Sequence, residues 1–197
     1  NRVMSQLDGD EGKARVAAAI LLTNPGVPFV YYGEEIGMMG VKPDEDIRLP
    51  MQWASNSPKV GFTEGTPWRS AADDFPVRSI ERQTSDPDSL LSLYRDLIHL
   101  RNEHEALRIG DWTLVESGSP RLLTFLRQTE NETVLVIINV NRNAVPAEDY
   151  RLELELDGEV TAVPLYGLEP TSNPIDGGFV PFNEIPPQSV HVIQLVP

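Results

Sequence analysis

Apolar positions recur with a helical period near the start of the chain. Asp10 and Glu11 suit the beginning of a helix, and Asn24-Pro25-Gly26 suits its end. The apolar side chains between them are Ala14, Ala17, Ala18, Leu21 and Leu22. This spacing predicts a helix with one buried stripe, and the small alanines indicate close packing against a neighbouring element.

A short apolar run follows this helix. Residues 27–33, VPFVYYG, combine β-branched and aromatic side chains and lie between turn-forming residues. An apolar run without alternation is typical of a strand that is buried on both faces, as in a parallel sheet. We therefore expect the first half of the chain to be α/β.

A long segment of low periodicity separates this run from a second helix. Residues 33–85 are rich in Gly, Pro and Asp, and a loop of that length within a compact domain is usually functional. Asp86 is predicted to cap the next helix, with Pro87 at its first position and Asp88 at the positive end of its dipole. The predicted buried face consists of Leu90, Leu93, Tyr94, Leu97 and Leu100.

The pattern changes to short strands after Leu107. Residues 120–141 predict a hairpin, residues 151–163 a second hairpin around Asp157-Gly158, and residues 189–196 a closing strand. Leucine and charged residues alternate in the second hairpin, which predicts that one of its faces is exposed to solvent. Several strands at short spacing predict an antiparallel β-sandwich over residues 108–197, following an α/β domain over residues 1–107.

Composition narrows the partners of this chain. Its net charge is −14, from 30 acidic and 16 basic residues, so nucleic acid and anionic membranes would repel it. It contains no cysteine, which excludes disulfides and leaves the compartment open between cytoplasmic and secreted. No apolar run approaches the roughly 18 residues that span a bilayer. The start in mid-pattern without methionine predicts a piece of a longer protein.

Candidate catalytic groups are few. His99, His104 and His191 lack the spacing of metal ligands, and no phosphate-binding loop or nucleophile motif is present. Glu34 and Glu35 come directly after the predicted strand, where parallel α/β folds bind ligands. The competing interpretation is that one of these carboxylates accepts hydrogen bonds from loop amides while the other is solvated. The acidic residues of segment 44–46 are expected to form a solvated loop tip.

Aromatic residues accompany these carboxylates. Tyr31, Tyr32 and Trp53 share this part of the chain with Arg48, a combination that suits a carbohydrate because sugar rings have apolar faces that stack on aromatic rings. Phe62 and Trp68 could serve the same purpose, but we expect them to pack the long loop onto the fold. The sequence leaves open whether Arg48 contacts a ligand or only pairs with its acidic neighbours.

Three motifs make a family resemblance specific. The segments YYGEEIGM, IRLPMQW and GFTEGTPW resemble the α-amylase superfamily of glycoside hydrolases, especially its α-glucosidase and oligo-1,6-glucosidase branch. NRVMSQL at the start resembles the continuation of that family's NHD-x-x-R signature, with Arg2 as its arginine. The resemblance implies the last β/α units of a TIM (β/α)8 barrel, ending near residue 107, and then an antiparallel β-sandwich domain.

The resemblance also implies where the chemistry lies. The family's nucleophile, general acid and stabilising aspartate are all expected before Asn1, so this chain alone is expected to be inactive. Arg48 is the implied substrate contact on α-glucans or oligosaccharides. Arg2, Tyr32, Glu34, Glu35 and Trp53 are expected to support it. No cofactor is implied here, and calcium stays open for the full-length protein.

Two alternatives remain at this point. One is a transglycosylase or isomerase of the same family, such as a trehalose synthase, because the residues that choose water or sugar as acceptor lie mostly elsewhere. The other is a carbohydrate-binding module without catalytic activity. Such a module would bind oligosaccharides as an isolated chain, whereas a part of an enzyme would bind them weakly or not at all.

Overall fold

The computed structural model describes residues 1–155, 158–174 and 178–197. The chain divides into two compact units. Unit 1 consists of residues 1–18 and 28–96, and unit 2 of residues 19–27 and 97–197. The domain boundary after residue 107 stays a prediction.

Helices occupy the first 109 residues, in which the structure assigns no strand. A single 3-10 turn, Glu34–Ile36, lies among them. The helices are α1 Val3–Gln6, α2 Glu11–Thr23, α3 Asp44–Ile47, α4 Ile80–Gln83, α5 Leu90–Glu103 and α6 Glu105–Ile109.

Helix α2 confirms the first predicted helix. The Asp10 carboxylate accepts a hydrogen bond from the Lys13 backbone N–H at 3.0 Å, which satisfies one of the free donors at the helix start. Ala14, Ala18 and Leu22 are buried, as their spacing predicts. The alanine side chains are small, so they allow neighbouring atoms to approach this face of the helix closely.

Helix α5 confirms the second predicted helix but begins three residues later than expected, at Leu90 instead of Pro87. Its five predicted core side chains are all buried. The cap is Ser89, whose hydroxyl accepts from the Ser92 N–H at 3.1 Å. Asp86 instead accepts from the Asp88 N–H at 3.0 Å. The prediction of Asp86 as the cap is therefore wrong, because its short side chain closes a local turn before the helix starts.

Residues 27–33 do not form the buried strand that the sequence predicts. Phe29 is 84 % exposed and Tyr31 is 45 % exposed, and the segment has no strand pairing. A parallel strand takes its hydrogen bonds from strands on either side. Within the described residues no other strand pairs with this segment, which is the physical reason for the difference.

Unit 2 contains the strands that the structure describes. Five of them form one antiparallel sheet in the order β1-β2-β3-β7-β5, and β4 pairs with β6. Their bounds are β1 Asp111–Leu114, β2 Leu122–Gln128, β3 Thr133–Asn139, β4 Val145–Pro146, β5 Thr161–Tyr166, β6 Glu184–Ile185 and β7 Val190–Val196.

The hairpin predicted over residues 120–141 is confirmed. Strands β2 and β3 pair antiparallel along their whole length, with Leu122 opposite Asn139 and Gln128 opposite Thr133. The predicted closing strand is also present as β7, which pairs with β3.

The hairpin predicted over residues 151–163 is wrong. Leu152 forms an isolated bridge with Phe179, and β5 pairs with β7 instead. Asp157 of the predicted turn lies outside the described residues. The alternation itself is confirmed through residue 155, because Leu152 and Leu154 are buried while the charged residues between them are exposed. Alternation sets which face is buried, but it does not select the partner strand.

One hydrophobic cluster of unit 2 lies on one face of the large sheet, and the central strand β3 is buried on both faces. Leu135, Ile137 and Ile193 from β3 and β7 pack there with Phe179 and Phe182. The predicted antiparallel β-structure of this half is therefore confirmed, and its description as a sandwich stays a prediction. Among the described residues, no helix is both long enough and apolar enough to cross a membrane.

Candidate functional site

One pocket in unit 1 gathers most of the residues singled out in the sequence. Its volume is about 440 Å³, within the range of small-molecule sites. The lining residues are Tyr32, Glu35, Arg48, Leu49, Pro50, Met51, Trp53, Phe62 and Trp68. The wall thus combines four aromatic side chains, one guanidinium and one carboxylate.

Arg48 stands at the C-terminal end of α3. Its Nη2 atom lies 2.7 Å from an Asp44 carboxylate oxygen, and the two side chains are 60 % and 55 % exposed. An exposed ion pair at this i, i+4 spacing contributes only about 0.3–0.5 kcal/mol. A guanidinium has five N–H donors, so this contact leaves Arg48 able to bind a ligand in the pocket.

Arg2 holds the backbone on both sides of this pocket. It is buried, and its Nε donates to the Ile47 carbonyl at 2.9 Å while its Nη1 donates to the Tyr32 carbonyl at 2.6 Å. Its guanidinium carbon also lies 4.6 Å from the centre of the Tyr32 ring and 4.8 Å from that of Tyr31, distances that suit cation–π attraction. Arg2 therefore fixes Tyr32 and the residue before Arg48.

Tyr32 is tied to the opposite side of the same segment. Its hydroxyl donates to the Leu49 carbonyl at 2.9 Å. Burial raises its pKa above the ordinary tyrosine value, so the hydroxyl stays protonated and keeps donating. The sequence between Ile47 and Leu49 is thus held at one end by Arg2 and at the other by Tyr32, which positions Arg48 between them.

Glu34 does not line this pocket, and its carboxylate accepts hydrogen bonds from two donors. The Tyr94 hydroxyl donates to Oε1 at 2.9 Å, and the Tyr31 N–H donates to Oε2 at 3.3 Å. Burial, followed by the Glu34 carboxylate, raises the pKa of Tyr94, so Tyr94 remains a donor. Glu34 and Arg2 line a second cavity of about 210 Å³, not the pocket that contains Arg48.

Glu35 lines the pocket in an apolar environment. Burial raises its pKa above the ordinary value, although the N–H groups of Glu35 and Gly33 lower it in part. Its Oε2 atom is buried and, among the residues that the structure describes, has no hydrogen-bond partner. Neither Glu34 nor Glu35 is therefore freely solvated, contrary to the expectation that one of them would be.

Trp53, Phe62 and Trp68 face the solvent side of the pocket. Trp53 is 51 % exposed, Phe62 50 % and Trp68 65 %. Within this chain Phe62 and Trp68 therefore do not pack against the rest of the fold, and their packing in a full-length protein stays a prediction. The sequence signal that could have found them is their spacing in a Gly-rich, Pro-rich segment, where an aromatic side chain has few buried neighbours.

The structure thus brings together Tyr32, Glu35, Arg48 and Trp53 from the predicted set. The acidic residues of segment 44–46 form the short helix α3 at the surface, and Asp46 pairs with Arg69 at 3.1 Å. No histidine lines the pocket. The described part of the chain contains no group of three His, Asp or Glu side chains placed to hold a metal ion, and calcium in a full-length protein stays a prediction.

Residues 1–110 match the protein-family profile described as alpha amylase, catalytic domain. Alpha-amylase 3 of Dictyoglomus thermophilum is 35 % identical over 143 residues, which are 72 % of this chain and 28 % of that protein. Trehalose synthase of Thermus thermophilus is 34 % identical over 190 residues, which are 90 % of this chain and 19 % of that protein.

The fold of this chain is also similar to that of a solved structure. The crystal structure of an alpha-amylase from H. orenii superposes with a TM-score of 0.79 and 35 % identity, covering 98 % of this chain and 37 % of that one. The resemblance predicted from the sequence motifs is confirmed. The chain spans between about a fifth and two-fifths of the length of these three proteins.

Proposed function

This chain belongs to the α-amylase family, and from that premise we propose that it forms the C-terminal part of a retaining glycoside hydrolase. The substrates would be starch- or maltose-type oligosaccharides with α-glucosidic bonds. The similarity to an alpha-amylase and to a trehalose synthase supports an enzyme that acts on α-linked glucose.

The proposed architecture explains why the apolar segment 27–33 is exposed in this chain. Residues 27–33 would be the last strand of a (β/α)8 barrel, and residues 108–197 an antiparallel β-sandwich after it. The exposed apolar side chains of Phe29 and Tyr31 support this assignment, because strands of a barrel are buried on both faces. Such a barrel takes about 200–250 residues, more than residues 1–107 supply.

The proposed chemistry divides between this chain and the rest of the protein. Retaining hydrolysis uses a nucleophilic carboxylate and a general acid about 5–5.5 Å apart, and we expect both to precede Asn1. Glu34 and Glu35 would not replace them. The isolated chain would therefore bind oligosaccharides weakly and would not cleave them, which separates it from a carbohydrate-binding module.

The observation that carries the proposal is the position of Arg48 on the pocket wall beside Tyr32 and Trp53. A planar guanidinium offers parallel donors to two neighbouring sugar hydroxyls. Arg2 and Tyr32 would keep Arg48 in place through the Ile47 and Leu49 carbonyls. These bonds fix the backbone on both sides of Arg48, so less backbone freedom would be lost there when a ligand binds.

A trehalose-synthase-like isomerase is the second candidate. The similarity to the Thermus thermophilus enzyme extends over most of this chain, whereas the residues that would exclude water from the reaction are expected outside it. The two candidates therefore differ in products, not in the site that Arg48 lines.

Proton NMR of the full-length protein incubated with maltose tests both candidates. A retaining hydrolase releases glucose with the α-anomer appearing first, and an isomerase forms trehalose with little free glucose. Absence of any reaction with maltose or maltotriose would contradict both. For the isolated chain, micromolar binding of maltotriose would instead favour the carbohydrate-binding module.

A further inference from the structure

A hydrogen bond between Tyr94 and Glu34 connects helix α5 to the turn that carries Tyr32. The Tyr94 hydroxyl donates to Glu34 Oε1 at 2.9 Å, and the Tyr94 side chain is buried. We propose that Tyr94 and Glu34 are positioning residues, which act on the reaction through Arg48 without touching the substrate. This inference rests on the proposed function and adds two residues to the support of its substrate-binding arginine.

Neither residue lines the pocket that contains Arg48. Tyr94 is only 3 % exposed, and Glu34 lines the smaller cavity of about 210 Å³ together with Arg2. An effect of Tyr94 or Glu34 on chemistry in the larger pocket therefore has to be transmitted by the residues between them and that pocket.

Glu34 closes the turn formed by residues 31–34. Its N–H donates to the Tyr31 carbonyl at 2.9 Å, and its Oε2 atom accepts from the Tyr31 N–H at 3.3 Å. Gly33 within this turn has φ +79°, and a Cβ there would lie 2.2 Å from the sulfur of Met38, so the turn requires a glycine. The side chain of Glu34 thus helps to fix the backbone on both sides of Tyr32.

Tyr32 connects this turn to the segment around Arg48. Its hydroxyl donates to the Leu49 carbonyl at 2.9 Å, and its ring lies 4.6 Å from the guanidinium carbon of Arg2. Arg2 in turn donates to the Ile47 carbonyl at 2.9 Å. The residues before and after Arg48 are therefore both held by side chains that depend on the position of the turn.

Glu34 has a competing partner in Arg2. Both side chains line the same cavity, and the Nη2 atom of Arg2 is buried without a hydrogen-bond partner among the residues that the structure describes. Opposite charges attract more strongly where little water screens them. Without the Tyr94 hydroxyl, the Glu34 carboxylate would be free to turn toward Arg2 and draw it away from the Ile47 carbonyl.

Contacts other than this hydrogen bond keep α5 against the turn. Leu91 of α5 packs in one cluster with Ile36 and Met51, and the Gln83 side chain donates to the Ile36 carbonyl at 3.0 Å. None of these contacts uses the Tyr94 hydroxyl. Tyr94→Phe should therefore fold with its ring in place and lose the hydrogen bond alone.

A double-mutant cycle on kcat/KM for maltotriose in the full-length protein tests the inference. For Tyr94→Phe we expect kcat/KM to fall about tenfold, because a displaced Arg48 loses part of its contact with the substrate. In the Arg48→Ala background the same change should lower kcat/KM by less than about twofold, since the residue through which Tyr94 acts is then absent. A purely structural defect would lower kcat/KM equally in both backgrounds.

Two variants of Glu34 test the other side of the hydrogen bond. Glu34→Ala removes the acceptor and should also lower kcat/KM about tenfold, without adding to the effect of Tyr94→Phe. Glu34→Gln keeps hydrogen-bonding groups for the Tyr94 hydroxyl and the Tyr31 N–H, so it should recover most of the activity. If Tyr94→Phe does not fold, Glu34→Ala takes its place in the cycle with the same expected values.

Tyr150→Phe is the matched control. Tyr150 is also a buried tyrosine, and its hydroxyl donates to the Phe182 carbonyl at 2.7 Å, but it belongs to unit 2 and does not line the pocket. This variant should lower the midpoint of thermal unfolding about as much as Tyr94→Phe does, because each loses one buried hydrogen bond. Its kcat/KM should stay within about twofold of wild type.

The outcomes separate this inference from the proposed function. If kcat/KM of Tyr94→Phe stays within about twofold of wild type, the positioning role is overturned while the hydrolase remains. Equal losses in the wild-type and Arg48→Ala backgrounds would overturn it as well, because Tyr94 would then act independently of Arg48. If the wild-type protein does not cleave maltotriose, the proposed function fails and the inference fails with it.

Discussion

Arg48 and Arg127 illustrate two different uses of arginine in this chain. Arg48 is exposed and pairs with one carboxylate, so a ligand can displace that contact at a cost of about 0.3–0.5 kcal/mol. Arg127 is fully buried and donates to the carbonyls of Thr23, Leu107 and Gly110. The first is available for recognition, while the second is committed to the fold.

His191 is held neutral by its surroundings in unit 2. Its Nδ1 atom accepts the Leu168 N–H at 3.0 Å, and its Nε2 atom lies 3.0 Å from the Ser189 hydroxyl. Phe182 packs against the ring, with centroids 4.9 Å apart. Burial lowers the pKa of His191 to about 4, because a charged ring would lose water without gaining a partner.

We predict that His191 makes the stability of this protein depend on pH below neutrality. The unfolded histidine titrates near pH 6.5 and the folded one near pH 4, so the unfolded chain binds more protons between these values. The stabilisation is present above pH 6.5 and falls by about 3 kcal/mol as the pH drops to 4. His191→Gln keeps an acceptor for the Leu168 N–H. In this variant the midpoint of thermal unfolding should depend less on pH between pH 4 and 7 than in wild type. An equal slope in wild type and variant would contradict this assignment.

Buried arginines satisfy the end of helix α2 and the segment after it. Arg127 from β2 contacts the carbonyl of Thr23, and Arg101 from α5 donates to the carbonyls of Leu22, Asn24 and Gly26. The last carbonyls of a helix have no partner within it, and a cation there also favours the helix dipole. Long-range contacts thus replace a local helix cap.

We predict that Arg127→Met lowers the free energy of unfolding by at least about 3 kcal/mol, since three buried carbonyls lose their donor. Arg121→Met is the control, because Arg121 pairs with Asp149 at a partly exposed position and should cost less than about 1 kcal/mol. Urea unfolding of the two variants measures the difference. Equal losses would contradict the capping role of Arg127.

Helices were predictable from the sequence wherever one face is apolar. The periods of α2 and α5 are local properties. All five predicted core residues of α5 are buried, whereas in α2 Ala17 and Leu21 are only half-buried and Ala19 is buried instead. The start of α5 was not predictable, because Ser89 and Asp86 both suit a cap and only backbone geometry chooses between them. The buried strand predicted for residues 27–33 and the hairpin predicted for residues 151–163 were wrong for another reason. Strand pairing depends on neighbouring strands that a single segment does not specify.

At the scale of the whole molecule, the sequence motifs indicated the family, whereas the hydrophobic periodicity indicated only single helices and strands. The segments containing Tyr32, Arg48 and Trp53 identified the family, and the structure places these three side chains on the wall of one pocket. The exposure of Phe62 and Trp68 was not predictable, because aromatic residues in a loop suit either burial or recognition. This chain spans only part of its relatives, so its role as one wall of an active site is a claim about the full-length protein.

The central claim is that Arg48 contacts substrate instead of only pairing with its neighbour. Two variants of the full-length protein separate these roles: Arg48→Ala removes the guanidinium, and Asp44→Asn removes its ion-pair partner while keeping it. We predict that kcat/KM for maltotriose falls about 100-fold in Arg48→Ala, as for the loss of charged hydrogen bonds. In Asp44→Asn it should stay within about threefold of wild type.

Both variants should unfold within about 2 °C of wild type, because the ion pair is exposed. The decisive measurement is therefore kcat/KM for maltotriose in the two variants, side by side. A large loss confined to Arg48→Ala is the result that substrate contact predicts. Near-normal activity of Arg48→Ala, or equal losses in both variants, would contradict it.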